Sequence, residues 1–366
     1  MQQDRRPWLI LAHAHVRVSD LQSLLDMFGT TDAIVDQPRS RLAETGLSDE
    51  KCAAITSPDE GALAKALAWL DEERHHLVAW GEENYPEMYT HIPGPPLLLY
   101  VNGDVDLLHL PALAIIGSRN PTRGGNRNAH DFAKHLASRG FAIVSGLAQG
   151  IDTAAHQGAL DAGGKTIAFL GTGIDRVYPA SNRKLAHVIA ERGALVSEYP
   201  LSAPPERWHF PERNRLISGL CLGTLVVEAA RRSGSLITAR LAADQGREVF
   251  ALPGSIHNPL ARGCHELIRQ GAKLVETAGD ILAELSSLTG HMLETTAETA
   301  ATEMPAGEAD DDYAELRNLL GHDPVSIDEL EKQSGLTIDQ LSSMLLILEL
   351  HGEVESMSGG RYTLAG

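Results

Sequence analysis

Residues 113–125 have the sequence Leu-Ala-Ile-Ile-Gly-Ser-Arg-Asn-Pro-Thr-Arg-Gly-Gly. The apolar residues Leu113–Ile116 predict a buried parallel strand, Gly117 predicts a turn, and the residues after Arg123 have a helical pattern. A turn between a strand and the N-terminus of a helix presents unpaired backbone N–H groups and the positive end of the helix dipole. Arg119 adds a guanidinium group, whose fork of donors suits phosphate. The stretch therefore predicts an anion-binding turn at one edge of a sheet.

Strand-like and helix-like segments alternate after this turn. Apolar runs typical of strands occur at 113–116, 142–145, 166–170, 194–197, 224–227, 248–251 and 273–275. Helical patterns fill the gaps at 126–138, 151–162, 181–191, 235–245 and 265–270. Because such alternation specifies a parallel sheet covered on both faces, we predict an α/β fold with a Rossmann-like, doubly wound parallel sheet. Ligands of these sheets bind beyond the carboxyl ends of the strands.

The N-terminal part has a different pattern. Residues 1–75 contain apolar positions at helical spacing in Ser19–Phe28, Thr31–Val35 and Gly61–Glu72, which predicts a small helical domain of the helix-hairpin-helix size class. Residues 76–288 then form the Rossmann-like domain, and strand-like segments at 77–80 and 97–101 mark its entry.

Composition changes again after Leu288. Residues 289–312 are rich in Ala, Thr and Glu and predict a flexible acidic linker. Residues 313–366 predict a winged-helix domain, with helices near 313–320, 326–334 and 337–351 and a hairpin at 353–356 and 361–364. Its expected recognition helix, Ile338–Glu349, contains no Lys or Arg, so we expect a protein contact or a regulatory role rather than duplex recognition.

Charge is distributed unevenly along the chain. The formal net charge is −18, yet residues 112–285 contain 20 Lys and Arg against 15 Asp and Glu. A mildly basic module between acidic flanks remains compatible with nucleic acid, because affinity depends on the local patch. The three cysteines have no metal-ligand spacing, and the apolar run Trp8–Ala12 is too short for a signal peptide or a membrane span. We therefore expect a cytoplasmic protein without membrane or metal binding.

The turn at Gly117 does not match a dinucleotide site. The pattern G-x-G-x-x-G is absent, and Ser145-Gly146 stands at the end of the second strand where a ribose-binding carboxylate would be expected. We therefore predict no nicotinamide cofactor, and no other cofactor is indicated.

A second candidate segment is Arg207-Trp-His-Phe-Pro-Glu-Arg-Asn-Arg215. Arginines beside an aromatic ring are typical of proteins that hold a single strand, since cations follow the phosphates and rings stack on bases. The alternative interpretation is structural: Phe210 would belong to the core and the arginines would pair with Glu206, Glu212 or Glu228.

Two further groups of residues raise the question of chemistry. Ser233-Gly234-Ser235 opens a predicted helix after a strand and so forms a second phosphate nest, while Glu228 is more simply explained as orienting an arginine than as catalytic. Asp152 and His156 lie one helical turn apart, and bracing of a helix start is favoured over acid–base or metal chemistry.

A series of motifs resembles one protein family. In order along the chain these are Gly117-Ser-Arg, Ser145-Gly-Leu-Ala-Gln-Gly-Ile-Asp-Thr-Ala-Ala-His156, Gly171-Thr-Gly-Ile-Asp-Arg-Val-Tyr-Pro179, Ser197-Glu-Tyr-Pro200, Phe210-Pro-Glu-Arg-Asn-Arg215, Glu228-Ala with Arg232-Ser-Gly-Ser-Leu-Ile-Thr238, and Pro253-Gly254 with Gly263-Cys264. The series closely resembles the DNA-processing protein DprA (Smf) family of bacteria, from about residue 85 to residue 285. The two flanking domains resemble accessory domains of that family with lower specificity.

The resemblance implies a role without catalysis in natural transformation and DNA recombination. Such proteins bind and protect incoming single-stranded DNA, help to load the RecA-type recombinase as recombination mediators in competence, and form homodimers through the Rossmann-like domain. Carried over, the DNA-binding residues are Ser118, Arg119, Arg207 and Phe210, with support from Arg213, Asn214, Arg215 and the nest Ser233, Gly234 and Ser235. Family analogy places a dimer patch near Leu267, Ile268 and Gln270. The alternative function is a nucleotide-hydrolysing enzyme of the lysine-decarboxylase-like Rossmann group.

Overall fold

A computed structural model describes residues 4–289, Leu320, 325–326, 329–330, Leu341, Leu345, Leu348, 354–357 and 361–364. Two compact units result, Met1–Glu298 and Thr299–Gly366. The first unit contains every predicted site residue, and its central feature is one large sheet.

The sheet has nine strands in the order β1-β2-β6-β5-β4-β3-β7-β8-β9. Their bounds are β1 His75–Ala79, β2 Leu98–Gly103, β3 Ala112–Ile116, β4 Ala142–Ser145, β5 Thr166–Phe169, β6 Ala194–Ser197, β7 Gly223–Val226, β8 Glu248–Ala251 and β9 Lys273–Leu274. The run from β6 to β9 is parallel. Successive strands progress outward from β3 to β6 and then from β7 to β9 on the other side, which is the doubly wound arrangement.

The sheet is mixed rather than wholly parallel. β1 pairs with β2, and β2 pairs with β6, in antiparallel register. The segment between β1 and β2 contains the prolines of Ile92-Pro-Gly-Pro-Pro96 and no long crossover helix. A connection of this kind suits antiparallel neighbours. The prediction of a Rossmann-like doubly wound sheet is confirmed, while the expectation of a purely parallel sheet is wrong at this one edge.

Helices cover both faces. The helices after β3 are α7 Arg123–Ser138, α8 Ile151–Asp161, α9 Arg183–Arg192, α10 His209–Leu220, α11 Gly234–Asp244, α12 Arg262–Arg269 and α13 Ala278–Thr289. Apolar residues of α10, α11 and α12 share one core with the sheet, and those of α7, α8 and α13 share a core on the opposite face. Because the central strands β3 to β7 are buried from both sides, their apolar residues are nearly continuous in sequence.

The N-terminal helices share a core with the sheet. They are α1 Arg6–His13, α2 Val18–Phe28, α3 Thr31–Val35, α4 Arg39–Ala43, α5 Asp49–Thr56 and α6 Glu60–Leu70. Leu9, Leu21 and Trp69 of this layer belong to the same buried cluster as Leu77 and Tyr100 of the sheet. Residues 1–75, which the sequence presents as a separate helical domain, therefore lie within the same compact unit as the sheet.

The second unit contains a three-stranded sheet among the residues that the structure describes. β10 Val325–Ser326 and β11 Val354–Met357 both pair antiparallel with β12 Arg361–Leu364. This confirms the predicted hairpin. Of the predicted linker 289–312 only Thr289 is described, as the last residue of α13, and most of the expected recognition helix also lies outside the described residues. Leu341, Leu345 and Leu348, spaced for one helical face, are buried in a small apolar cluster.

Candidate functional site

The predicted anion-binding turn lies where the strand order reverses. β3 pairs with β4 on one side and with β7 on the other, so the turn after β3 and the loop after β7 meet at the carboxyl edge of the sheet. This reversal is the general ligand position of doubly wound sheets. Gly117 is required there, since a Cβ would lie 2.7 Å from Cγ1 of Ile151 and 2.9 Å from the carbonyl oxygen of Glu228.

Glu228 holds the start of α7 in place. Its two carboxylate oxygens accept hydrogen bonds from the backbone N–H of Thr122 at 2.9 Å and from the Thr122 hydroxyl at 2.7 Å. The Thr122 hydroxyl oxygen in turn accepts from the backbone N–H of Gly125, which makes Thr122 the N-cap of α7. The expectation that Glu228 orients an arginine is therefore wrong: the carboxylate binds a helix cap and ties the β3 turn to the β7 loop.

Phe210 brings an aromatic ring to the same edge. The guanidinium carbon of Arg119 lies 5.9 Å from the centroid of this half-buried ring, which is within the range of a cation–π contact. The ring of Tyr178, 46% exposed, lies 5.4 Å from that of Phe210. Gly171 makes the position possible, because a Cβ there would come within 2.8 Å of the Phe210 ring.

Arg119 and Arg207 are both exposed. Within the described residues neither guanidinium has a hydrogen bond or an ion pair, so both remain available to an anion. Ser118 is half-buried, and its hydroxyl oxygen accepts the backbone N–H of Asn120 at 3.1 Å, which fixes the turn. Asn214 is half-buried on α10.

Arg213 is buried rather than exposed, and this corrects its prediction as a supporting DNA contact. Only 5% of the residue is accessible, and its guanidinium donates to the carbonyl oxygens of Gly146, at 2.9 Å, and Phe169. Burial lowers the pKa of Arg213 to about 10, an effect that the carboxylate of Asp152 opposes. Its contacts join the ends of β4 and β5 to α10.

Arg215 has a carboxylate partner, as the alternative interpretation of this segment predicted, but the partner is Glu198. Its Nη2 donates to both carboxylate oxygens of Glu198 at 2.7 Å. Glu206, Glu212 and Glu228, the partners named from the sequence, do not bind it. Arg215 is therefore compensated and is less suited to a phosphate than Arg119 or Arg207.

The Ser233-Gly234-Ser235 segment begins α11, as predicted. Ser233 is the N-cap, and its hydroxyl oxygen accepts the backbone N–H of Ser235 at 3.3 Å. Arg231 and Arg232, directly before it, are exposed. Neither arginine was predicted to have a role, although both lie in the loop after β7, at the same edge of the sheet as the β3 turn.

Asp152 and His156 brace the structure. Oδ2 of Asp152 accepts the backbone N–H groups of Gly146 and Ala148, and burial raises the pKa of this carboxyl. The Thr166 hydroxyl donates to the Ile143 carbonyl, so Nδ1 of fully buried His156 must donate to it. Burial and the Arg213 charge lower the pKa of His156 to about 3. The predicted bracing role is confirmed.

No cluster of three side chains suited to a metal ion occurs among the described residues. None of the described helices has the length and apolar character needed to cross a membrane.

Comparisons with known proteins give a consistent result. A model of the family "DNA recombination-mediator protein A" matches residues 76–286, and a model of the DprA winged helix domain matches residues 300–360. The chain is 41% identical over 320 residues to Protein Smf of Escherichia coli, covering 87% of this chain and 85% of that one. It is 48% identical over 203 residues to DNA processing protein DprA of Streptococcus pneumoniae, covering 56% and 72%.

The solved structures that are similar to this one include two members of the same family. The DprA structure from Streptococcus pneumoniae aligns with a TM-score of 0.69 and 37% identity, covering 78% of this chain and 99% of that chain. A structure described as showing the single-stranded DNA binding mode of DNA processing protein A from Helicobacter pylori aligns with a TM-score of 0.53 and 32% identity, covering 58% and 96%.

Proposed function

This chain belongs to the family of DNA recombination-mediator protein A, named DprA or Smf in its relatives, and from that membership we propose that it binds single-stranded DNA at the carboxyl edge of its sheet. The relative from Helicobacter pylori is a single-stranded DNA-binding protein of the same fold. The binding surface would consist of Ser118, Arg119, Arg207 and Phe210, with Asn214, the Ser233–Ser235 nest and the exposed Arg231 and Arg232 beside them.

One observation carries the proposal. The uncompensated guanidinium of Arg119 lies 5.9 Å from the Phe210 ring at an exposed edge. A cation beside a stackable ring, without base-edge readers, suits a polymer whose phosphates and bases alternate. It also predicts binding with little sequence preference, because every base has a face that can stack.

We further propose that the bound strand is passed to a RecA-type recombinase in natural transformation, in the cytoplasm, by a homodimer. Of the expected dimer patch, Leu267 is buried in the protein's own core. The second copy would therefore contact Ile268, Gln270 and the half-exposed Leu274 at the edge strand β9.

The proposed role is binding without catalysis. Glu228 is committed to Thr122, Asp152 to backbone N–H groups, and His156 to Thr166. These were the carboxylates and the imidazole that the sequence singled out for chemistry, and each has a structural partner. Among the described residues these three groups offer no free acid or base for nucleotide hydrolysis, and release of free base from nucleoside monophosphates would argue for that alternative function.

The test is a salt titration of binding to single-stranded and double-stranded oligonucleotides of equal length. We expect preference for the single strand, and we expect Arg119→Ala and Arg207→Ala each to lower affinity about tenfold and to reduce the salt slope by about one. Arg139→Ala is the matched control, because Arg139 is also exposed but lies at the opposite end of α7. Preference for duplex, or unchanged affinity in both site variants with the fold intact, would contradict the proposal.

A further inference from the structure

A large groove lies next to the proposed DNA surface. It has a volume of about 1480 Å³. One wall comes from the N-terminal helical layer, at residues 15–19. The other comes from the end of β6 and the start of α10, at residues 198–200 and at Trp208, His209, Glu212 and Arg215. The groove is therefore a product of the packing of the helical layer against the sheet, and the proposed DNA-binding role does not use it.

Aromatic side chains line much of this groove. Trp80, Tyr85, Tyr199 and Trp208 are all part of it. Trp208 is 56% exposed, and its ring packs edge-on against His209 at a centroid distance of 4.1 Å. A half-exposed indole held by a neighbouring ring presents a stackable face to any cation that enters the groove.

The charged residues of the groove divide into paired and unpaired groups. Glu198 is bonded to Arg215, Glu82 is bonded to Arg5, and Arg17, the other arginine of the lining, is paired with Asp20. Glu87, Glu206 and Glu212 are exposed and have no cationic partner among the described residues; Glu212 has only a weak contact with the Tyr199 hydroxyl at 3.5 Å. The uncompensated charge of the groove is therefore negative.

We propose that this groove binds a basic peptide segment of a protein partner, with its arginine or lysine side chains paired to Glu87, Glu206 and Glu212 and one of them placed over Trp208. A nucleic acid strand is disfavoured as the occupant, because the three carboxylates would repel its phosphates. Aromatic and carboxylate side chains together bind guanidinium and ammonium groups by complementary charge and by cation–π contact.

The groove lies close enough to the proposed DNA surface for a bound partner to be held beside the DNA strand. Arg207, on the proposed DNA surface, is adjacent in the chain to Trp208 in the groove. A partner with a basic segment would therefore be held directly beside the bound strand, without competing for the same cations. Peptide binding in the groove does not require DNA binding, because no residue of the proposed DNA surface lines the groove.

The experiment uses the full chain and a fluorescein-labelled hexa-arginine peptide, followed by fluorescence anisotropy at low and moderate salt. The groove variant carries Glu87→Gln, Glu206→Gln and Glu212→Gln. The control variant carries Glu50→Gln, Glu73→Gln and Glu191→Gln, three exposed glutamates that do not line the groove. The two variants have the same net charge, so general attraction to an acidic protein affects them equally.

We expect the groove variant to bind the peptide about tenfold more weakly than the control variant, as three exposed ion pairs would give. Trp208→Ala should also weaken peptide binding, whereas the groove variant should keep its affinity for single-stranded DNA. Equal affinity of the two glutamine variants for the peptide would overturn the proposal. So would a loss of single-strand affinity in the groove variant, because it would place bases of the strand in the groove instead.

Discussion

Arg207 and Arg213 lie six residues apart, yet Arg207 is exposed whereas Arg213 is 5% exposed and bonded to two backbone carbonyls. The same contrast extends around them. Exposed Arg119 and Arg207, together with half-buried Phe210, are named the exposed rim, and buried Arg213, Asp152 and His156 are named the buried polar layer. Binding of an anion requires cations without partners, whereas a buried charge must be paired and hydrogen-bonded to offset its desolvation.

The difference in burial between the rim and the layer predicts different effects on two quantities, the affinity for a DNA strand and the free energy of unfolding. Changes in the exposed rim should lower affinity for a strand and leave the free energy of unfolding almost unchanged. Changes in the buried polar layer should lower the free energy of unfolding first, and affinity only as a consequence. Substitutions in each of the two regions can test this difference.

The largest effect is expected for Arg213→Met. The substitution keeps much of the side-chain volume but removes the donors to Gly146 and Phe169 and the cation near buried Asp152. Loss of one partner from a buried charged arrangement costs about 3–5 kcal/mol. Denaturant unfolding followed by circular dichroism measures it.

Arg215→Met on the same helix is the matched control. Its partner Glu198 is partly exposed, so we expect a loss of no more than about 1 kcal/mol. Equal losses for the two variants would show that burial does not distinguish these arginines, and the division between rim and layer would fail.

The second prediction concerns pH and His156. Its pKa is about 3 in the folded protein, because of burial and then the Arg213 charge, against about 6.5 when unfolded. Since the folded pKa is depressed, the contribution to stability is complete above about pH 6.5 and is lost as pH falls toward 3, by about 1.4 kcal/mol per pH unit. In His156→Gln this loss is absent. The unfolding free energies of wild type and variant should therefore converge below pH 6.5.

The comparison at each pH removes the contribution of the other titrating groups. Above pH 7 the difference between the two proteins should be nearly constant, and between pH 6.5 and 4.5 it should shrink by about 2 kcal/mol. Parallel curves over that interval would mean that His156 is accessible to protons in the folded state.

The sequence predicted the main chain of this site better than the position of its side chains. The strands 142–145, 194–197 and 248–251 have the predicted bounds, because runs buried on both faces are continuous and end at polar or small residues. Arg207 and Arg213 could not be told apart, since burial of a cation depends on carbonyls at the ends of β4 and β5, which lie 67 and 44 residues away in the chain. Glu228 was assigned the wrong partner for the same reason, as Thr122 is 106 residues distant.

Two further features were beyond sequence reasoning. The amphipathic helices of residues 1–75 indicate that an apolar face is covered, but the pattern does not say by what, and here the sheet shares their core. Trp208 and Tyr178 were visible as aromatics, but only the fold makes them more than 40% exposed.

The third prediction returns to the exposed rim. Phe210→Leu keeps apolar bulk against Gly171 but removes the stackable ring, and stacking of one base on an aromatic side chain is worth about 1–3 kcal/mol. We expect affinity for a single strand to fall about tenfold, with the unfolding midpoint unchanged. Phe210→Tyr keeps the ring and should restore binding. If Leu and Tyr bind equally well, the ring does not stack on a base.

The smallest effect is expected at Thr122, which connects the two regions. Its hydroxyl caps α7 through the Gly125 N–H and donates to Glu228, while its backbone N–H binds the same carboxylate. Thr122→Ala removes the hydroxyl but keeps the backbone bond to Glu228. The turn should therefore stay in place, and the loss should be that of an N-cap.

We expect Thr122→Ala to lower the free energy of unfolding by about 1 kcal/mol and to weaken single-strand binding less than Phe210→Leu does. Thr122→Ser keeps the hydroxyl and should recover both properties, as measured by denaturant unfolding and by oligonucleotide anisotropy. A variant as stable as wild type that has nevertheless lost strand binding would place the Thr122 hydroxyl on the exposed rim, in contact with DNA. Loss of stability with unchanged binding would instead confine it to the support of α7.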